Sequence, residues 1–332
     1  MMKKKLAYIL TTFFLFFSFL YFGVGFYLAH TILFIDPSCG MHEGSLPNTW
    51  STKVDHHEYT VLAKSELRKN FPAKDYYLED WQEVYFPSRD QDIKISGWLF
   101  NYFPNRPIII IVHGIFPNGK CKPESNLVAS LLIKNGINVL TIDLRNYGKS
   151  QKISNYISLG ATEYNDVLGA YDFLKKIGFN KNQIGLMGIS LGANTAIYAA
   201  SNEKNIKAIW LESAAFADFK MALSDELSRY KMPNIFSHPV RVFGEILSGV
   251  DVTSLSPTNS LNQGKQYYYF VHGEKDQRVF RKHFNYFQEY VKKNNINASF
   301  WLVENSYHVD AIFKFPEEYG LKMKDFFQEN LK

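Results

Sequence analysis

The chain has 332 residues, of which 46% are hydrophobic and 21% are charged, so it can bury a full hydrophobic core and general disorder is excluded. Its formal net charge is +5, and subtracting the three charges of Lys3, Lys4 and Lys5 leaves +2 for the rest of the chain. A balance this close to neutral argues against a nucleic-acid partner.

The first predicted element is a transmembrane helix. Residues 6–35 contain no Asp, Glu, Lys or Arg and exceed the roughly 20 apolar residues that span a bilayer. The alternative is a cleaved secretory signal, whose apolar region is only about 7–15 residues long; the tripeptide GVG at 23–25 resembles a cleavage site. Lysines before the span, with Asp36 and Glu43 after it, favour a cytoplasmic N-terminus. We therefore expect a single-pass membrane protein whose later residues lie on the non-cytoplasmic side, in the periplasm, the exterior or a lumen.

Residues 36–80 mix Pro, Gly, Ser and charged residues with one short predicted helix at 59–69, which is typical of a stalk or collar. The two cysteines of the chain are Cys39, in this segment, and Cys121. Outside the cytoplasm they can form a disulfide, but the sequence leaves open whether they pair or stay as free thiols. The predicted division is an anchor at 1–35, a stalk at 36–80 and a catalytic domain at 81–332.

Strand-like and helix-like segments alternate from residue 81 onward, a pattern typical of an α/β sheet. The first two strands form an antiparallel hairpin, and six buried strands rich in β-branched residues follow. The predicted strands are 83–86, 93–100, 107–112, 137–142, 183–188, 206–211, 266–271 and 298–303. The predicted helices are 124–134, 161–177, 191–200, 279–293 and 316–331. The fold class is therefore α/β, with a doubly wound, mostly parallel, eight-stranded sheet.

The longest break in this alternation is the segment 213–264, which is rich in Phe, Ser and Pro and is the candidate cap of the domain. Its apolar side chains either line an acyl pocket close to the bilayer or pack the cap helices on the core. They include Phe216, Phe219, Met221, Leu223, Phe236 and Phe243.

The pentapeptide GISLG at 188–192 matches G-x-S-x-G and lies where a predicted strand meets a predicted helix. Such a sharp turn needs small residues beside a strained serine, and the N–H groups at the start of the helix point at developing negative charge. Ser190 is therefore the predicted nucleophile. A glycine-rich turn with an idle serine is the alternative interpretation.

A serine nucleophile needs a base that removes its proton and an acid that orients the base. His308 follows the last predicted strand, where the base is expected, whereas His272 adjoins a strand end and His283 lies within a helix. Asp276, in the turn after the strand 266–271, is the predicted acid. Its rivals are Glu274, Glu212 and Asp310.

An oxyanion intermediate needs two backbone N–H donors. Leu191 follows the nucleophile and supplies one, and the loop HGIF at 113–116 supplies the other. We expect the Ile115 N–H to be the second donor and His113 to hold the loop in place.

These segments together resemble the α/β-hydrolase superfamily, and more narrowly the Bem46-like and prolyl-oligopeptidase-like serine hydrolases. The likeness covers about residues 81–332, and the blocks that carry it are 84–90, 96–100, 112–114, 143–150, 188–192 and 271–276, with the His308 loop. The resemblance implies a triad of Ser190, Asp276 and His308, with Ile115 and Leu191 as oxyanion donors. Asn146 departs from the family pattern, because a glycine usually follows the arginine at this point.

The triad implies an enzyme that transfers an acyl group to water through an acyl-enzyme. We expect hydrolysis of carboxylic esters or thioesters with acyl or lipid-like groups. The alternatives are a prolyl-oligopeptidase-like serine peptidase and a catalytically silent membrane-bound scaffold. No cofactor is expected, because the sequence has no H-E-x-x-H motif, paired C-x-x-C or phosphate-binding glycine loop. The expected partners are a small-molecule or acyl substrate and the membrane, and oligomeric state stays open.

Overall fold

The computed structural model describes residues 2–35, 45–52, 67–115, 119–261 and 266–331. Within these residues, eight strands form one sheet with the order β1-β2-β4-β3-β5-β6-β7-β8. The strands are β1 (Gln82–Pro87), β2 (Lys94–Phe100), β3 (Ile108–Val112), β4 (Asn138–Asp143), β5 (Ile184–Ile189), β6 (Ala208–Glu212), β7 (Tyr267–Gly273) and β8 (Ala298–Val303).

The sheet is parallel except at one end, where β2 runs antiparallel to both β1 and β4. Strands β3, β4, β5 and β6 are buried along their whole length. Their runs of branched apolar residues suit this position, because a parallel strand is covered on both faces. The predicted fold class, a mostly parallel sheet of eight strands, is confirmed.

Helices cover both faces of the sheet. The described helices are α1 (Met2–Leu33), α2 (Pro123–Lys134), α3 (Tyr164–Lys176), α4 (Leu191–Asn202), α5 (Phe219–Arg229), α6 (Ser237–Ser248), α7 (Arg281–Lys293), α8 (Ala311–Lys314) and α9 (Pro316–Asn330). One apolar cluster joins the sheet to α3, α4 and α7, and a second joins it to α2, α8 and α9. Helices α5 and α6 form the segment between β6 and β7 that the sequence indicates as a cap.

Two helices begin later than predicted, because polar side chains hold the preceding residues in turns. Helix α3 begins at Tyr164, after the Glu163 side chain accepts hydrogen bonds from the N–H groups of Ser158 and Gly160 at 2.8 and 3.0 Å. Helix α7 begins at Arg281 rather than 279, because the Val279 N–H donates to Asp276 and belongs to that turn.

Asn146 keeps the backbone geometry for which the family uses glycine. Its φ is 72°, in the left-handed region that asparagine tolerates better than most residues. The Asn146 Oδ1 atom accepts hydrogen bonds from the N–H groups of Ile153 and Ser154 at 2.7 and 2.8 Å. The side chain therefore stabilises the turn that a glycine would merely permit.

Several described residues of the segment predicted as a stalk pack against the helices beside the sheet. Trp50 is 1% exposed, and Tyr76 and Leu78 are buried in the cluster of α2, α8 and α9. The Phe71 ring lies 5.1 Å from the Phe313 ring in α8. Most of the predicted helix at 59–69 falls outside the described residues. Cys121 is disulfide-bonded, and Cys39, the second cysteine of the sequence, lies outside the described residues.

Candidate active site

Ser190 occupies a strained turn between β5 and α4. Its φ is 53° and its ψ is −117°, a conformation that side chains rarely adopt and that tight packing must enforce. A Cβ atom at Gly188 would lie 2.5 Å from the Cα atom of Ala193, and one at Gly192 would overlap the carbonyl group of Val112. The two glycines of the motif therefore allow the turn to close and to present the serine at the carboxyl edge of the sheet.

Three side chains from separate parts of the chain meet at this edge. The Nε2 atom of His308 lies 3.1 Å from Ser190 Oγ, and its Nδ1 atom lies 2.7 Å from Asp276 Oδ2. These contacts fit an imidazole that donates from Nδ1 to the carboxylate and accepts from the serine hydroxyl. The structure thus brings together the nucleophile, base and acid that were predicted from the sequence.

The turn after β7 holds the Asp276 carboxylate in position. Its Oδ1 atom accepts hydrogen bonds from the N–H groups of Arg278 and Val279, both at 2.8 Å. Burial raises the pKa of this carboxyl, but the charge and hydrogen bond of His308 help to bring it below its ordinary value. Asp276 is therefore ionised at neutral pH and can stabilise a protonated His308.

The two rival histidines have other partners. His272, in β7, lies with Nε2 3.1 Å from the Val279 carbonyl oxygen, and burial lowers its pKa to about 4. His283, in α7, lies 2.9 Å from Asp225 of the cap helix α5, and burial lowers its pKa as well. His308 is therefore the histidine that adjoins the serine.

The rival acids are also engaged elsewhere. Glu274 is exposed and accepts a hydrogen bond from the Asn305 N–H at 3.0 Å. Asp310 forms an ion pair of 2.9 Å with Arg68. Glu212 is fully buried at the end of β6, beneath the loop that carries His308.

The Glu212 carboxyl links β6 to the His308 loop through hydrogen bonds. It accepts from the Tyr319 hydroxyl at 2.8 Å and lies 2.9 Å from Ser213 Oγ, which in turn accepts from the Val309 N–H at 3.3 Å. Burial raises the pKa of Glu212 to about 7, although hydrogen bonds from Tyr319 and Ser213 oppose this shift. Below that pH the link is therefore a largely neutral carboxylic acid.

The loop after β3 lies directly against the serine. A Cβ atom at Gly114 would lie 3.1 Å from Ser190 Cβ, so a larger residue here would push against the serine. Ile115 and Leu191 line the cavity at the serine, and the Lys122 ammonium donates to the Ile115 carbonyl oxygen at 2.7 Å. The two predicted N–H donors therefore belong to segments that border the nucleophile.

His113 connects this loop to the end of β4. Its Nδ1 atom lies 2.7 Å from the Gly114 carbonyl oxygen, and its Nε2 atom accepts from the Leu144 N–H at 3.1 Å. Burial lowers the pKa of His113 to about 4, so the ring is neutral and can make both contacts. These bonds agree with the loop-holding role expected for this histidine.

Arg68, which precedes the domain, was not singled out from the sequence. Its Nε atom donates to Asp310 Oδ1 at 2.9 Å, and one terminal nitrogen donates to the carbonyl oxygens of His308 and Val309 at 2.9 and 3.1 Å. Its guanidinium lies 4.4 Å from the centre of the Phe313 ring. Arg68 therefore clamps the loop of the base from a segment 240 residues away in sequence, a distance over which no local pattern reveals the contact.

A largely apolar cavity adjoins Ser190. It encloses about 810 Å³ when the space of its open mouth is counted. Its walls come from segments at the carboxyl edge of the sheet, from the cap and from α1. Glu226 and Arg278 add polar groups to the lining and form an ion pair of 2.8 Å with each other.

Five of the six apolar cap residues divide between two environments. Phe216, Phe219 and Leu223 line the cavity, as the acyl-pocket interpretation predicts. Phe236 and Phe243 instead contact α1, with ring centres 5.5 Å from Tyr21 and from Phe26 respectively. Met221 is half-buried outside the lining.

The assembled groups can perform nucleophilic acyl transfer. They supply a hydroxyl, a base, an acid and the two segments that carry the predicted oxyanion donors. Among the residues that the structure describes, no group of three or more His, Cys, Asp or Glu side chains could hold a metal ion.

Comparisons with known proteins agree with this fold. A family model described as the alpha/beta hydrolase fold matches residues 107–258. The thiohydrolase aneE of Aspergillus aculeatus is 32% identical over 138 residues, which are 41% of this chain and 42% of that protein. The uncharacterized protein YqkD of Bacillus subtilis is 26% identical over 222 residues, 66% of this chain and 70% of YqkD. The chain thus spans less than half the length of the first relative.

Among solved structures, the Pyrococcus furiosus esterase Pf2001 superposes with a TM-score of 0.63 at 26% identity, over 79% of this chain and 96% of the esterase. The chain has the α/β-hydrolase fold. In this chain the Ser190 turn lies within the residues that the family model matches, and Asp276 and His308 lie beyond them.

Proposed function

We propose that this α/β-hydrolase is a serine hydrolase of carboxylic esters or thioesters with an acyl or lipid-like group. One observation carries the proposal: Ser190, His308 and Asp276 are joined by hydrogen bonds of 3.1 and 2.7 Å beside an apolar cavity. The likeness to an esterase and to a thiohydrolase supports the same class. The narrower kinship with Bem46-like hydrolases is part of this proposal.

In the proposed reaction, Ser190 Oγ attacks the carbonyl carbon and gives its proton to His308 Nε2, and Asp276 stabilises the resulting imidazolium. The N–H groups of Ile115 and Leu191 stabilise the oxyanion. The alcohol or thiol leaves with the proton from His308, and the acyl group remains on Ser190. Water then gives a proton to His308 and attacks the acyl carbon, which releases the carboxylic acid and restores the serine.

The lining of the cavity favours an acyl chain over a peptide. A peptide brings backbone polar groups that need partners when buried, whereas most side chains around the cavity are apolar and its Glu226 and Arg278 already pair with each other. A peptidase of prolyl-oligopeptidase-like type is the second candidate, because the same triad also cleaves amides.

We also propose that α1 is an uncleaved anchor and that residues 81–332 form a catalytic domain on the non-cytoplasmic side. The span Lys4–Leu33 is long and apolar enough to cross a membrane. Leu28, Ala29 and Leu33 are at most 3% exposed, so the last turns of α1 are part of the folded domain. A cut after residues 23–25 would leave these turns without the helix that precedes them.

Labelling with a fluorophosphonate tests the nucleophile. We expect the full-length protein to react at Ser190 and Ser190→Ala not to react, and His308→Ala to slow labelling by about 1,000-fold or more, because the serine loses its base. Ser254→Ala, at an exposed serine of the cap segment, is the matched control and should label normally. Absence of labelling in the folded wild-type protein would favour the silent scaffold.

A substrate screen then separates the two enzyme classes. Acyl esters of increasing chain length should be hydrolysed with higher kcat/KM than short peptide amides, and the rate should vanish in Ser190→Ala. Faster turnover of the peptides would instead support the peptidase.

A further inference from the structure

We propose that the cavity at Ser190 binds the acyl chain of an ester that resides in the bilayer, and that α1 forms the outer wall of this cavity. The inference rests on the proposed hydrolase function and adds its substrate class and route of entry. The anchor would then be part of the binding site as well as an attachment to the membrane.

One face of α1 lines the cavity. Ala29, Ile32 and Leu33 are lining residues, and spacings of three and four residues place them on the same side of a helix. Val240 and Gly244 of the cap helix α6 line the same cavity. An acyl chain that extends from Ser190 therefore meets α1 and α6 together.

Close packing fixes α1 against the cap. A Cβ atom at Gly25 would lie 2.8 Å from the backbone carbonyl carbon of Pro239, so this glycine lets the two helices touch through their backbones. The Tyr21 hydroxyl donates to the Ile235 carbonyl oxygen at 2.9 Å. Leu28 is 3% exposed at the same interface.

The end of α1 is also bonded to the catalytic domain. The Ile35 N–H donates to the Asn155 carbonyl oxygen at 2.9 Å, and the Ile157 N–H donates to the Leu33 carbonyl oxygen at 3.0 Å. His30 Nδ1 lies 3.0 Å from the Tyr156 hydroxyl. These bonds hold the α1 wall at a set position relative to Ser190.

The exposed part of α1 places the cap at the membrane surface. Residues 4–20 are exposed except for half-buried Ser18, and they extend about 25 Å along the helix axis. A hydrocarbon core of about 30 Å therefore reaches the level at which Tyr21 meets the cap. The cap exposes Ile235, at 66%, at this level, where its carbonyl oxygen accepts from Tyr21.

The route from the bilayer to the cavity follows a single helix. Ala29 lies nine residues beyond Leu20, about 14 Å along the axis. A chain that moves along α1 stays in contact with apolar side chains, whereas one that arrives through water first exposes every methylene group. Entry from the bilayer therefore fits the arrangement of α1, the cap and Ser190.

Substitutions on the cavity face of α1 test whether this helix forms the cavity wall. We compare dodecanoate and butanoate esters of 4-methylumbelliferone with the full-length protein in phosphatidylcholine vesicles. Ala29→Leu narrows the cavity, and we expect it to lower the ratio of kcat/KM for the long ester to that for the short one about tenfold. Ile32→Ala widens the cavity and should raise preference for the longer chain.

Matched controls lie on the exposed turns of the same helix. Ala7→Leu and Ile9→Ala repeat the two substitutions where both residues are exposed, and the ratio should stay within about twofold of wild type. Thermal unfolding checks each variant, and Ile32→Ala decides the outcome if Ala29→Leu does not fold. If the ratio of kcat/KM for the long ester to that for the short one is unchanged in the folded cavity variants, the proposal that α1 forms a wall of the acyl-binding cavity is wrong.

Surface dilution tests the route. With the bulk concentration of dodecanoate ester held constant, we expect the rate to follow the mole fraction of ester in the vesicles. A rate that follows bulk concentration alone would overturn entry from the bilayer. Failure of the wild-type protein to hydrolyse any ester or to label at Ser190 would instead overturn the proposed function, so the two failures are distinguishable.

Discussion

The candidate base depends on a buried arginine outside the predicted catalytic domain. Arg68 is 5% exposed, and its planar guanidinium reaches one carboxylate oxygen and two backbone carbonyl oxygens of the His308 loop. Lysine cannot reproduce this fork, because its ammonium is a compact point charge. Arg68 is therefore a positioning residue that acts through His308.

We predict that Arg68→Lys lowers kcat for ester hydrolysis about tenfold and leaves KM nearly unchanged, because a misplaced base affects the chemical step rather than binding. The rate of fluorophosphonate labelling should fall in parallel. Arg68→Ala should also cost about 3–5 kcal/mol of folding stability, since it leaves the Asp310 carboxylate buried without its partner.

Arg89→Lys is the control for this prediction. Arg89 pairs with both oxygens of Asp172 at 2.7 and 2.8 Å, and its carboxylate partners Asp172 and Glu203 lie outside the His308 loop. We expect normal kcat in this variant. If Arg68→Lys lowers the melting temperature but leaves kcat and the labelling rate unchanged, Arg68 stabilises the fold and does not position His308.

At the scale of elements, the end of β6 supports the loop between β8 and α8. Glu212 and Ser213 connect the strand to Val309, and Tyr319 of α9 completes the link. A buried carboxyl with a raised pKa favours its protonated form in the folded state. Its ionisation therefore works against folding.

The pH dependence of stability follows from this shift. The pKa of Glu212 rises from its ordinary value of 4.5 to about 7 on folding. The contribution of this carboxyl group to folding stability is therefore complete below the pKa of 4.5 and is lost as the pH rises from there to about 7. Relative to wild type, Glu212→Gln should gain on the order of 1 to 3 kcal/mol of unfolding free energy between pH 4 and 8. Denaturant unfolding at several pH values measures the difference.

Glu203→Gln should show the opposite sign. Burial raises the pKa of Glu203, but hydrogen bonds from Asn205 and the charge of Arg89 bring it below its ordinary value. Its stabilisation is therefore present at neutral pH and lost on acidification. The same pH trend in both variants would contradict the assignment for Glu212.

At the scale of the whole molecule, helix α1, the cap helices and the domain around the sheet form one continuous structure. Helix α1 packs along α6, and its end bonds to residues 155–157 of the domain. If α1 spans a membrane as proposed, its orientation determines which compartment the mouth of the cavity faces. Lys3, Lys4 and Lys5 predict a cytoplasmic N-terminus.

Reporter fusions test this orientation in a Gram-negative host. Alkaline phosphatase joined after residue 332 should be active and green fluorescent protein at the same place should be dark, because the C-terminus is expected outside the cytoplasm. Replacing the three lysines by glutamate is the control and should weaken this bias. A fluorescent fusion of the unaltered chain would show that the domain faces the cytoplasm.

The sequence was sufficient for the fold class and for the order of its elements. The apolar runs of β3 and β5 predict buried parallel strands, and the GISLG motif between a strand and a helix predicts the serine turn. These features are local, because hydrophobic periodicity, β-branched side chains and the spacing of glycines determine the backbone conformation within a few residues. The positions of Asp276 and His308 after their strands were likewise readable from chain order.

Contacts between distant segments required the tertiary structure. Arg68 meets Asp310 across 242 residues, Glu212 acquires its raised pKa only when burial removes water from it, and Ala29 joins the cavity of Ser190 only when α1 packs on the cap. Each effect depends on which surfaces exclude water together. Folding brings those surfaces into contact, and no local sequence pattern predicts which distant segments will meet.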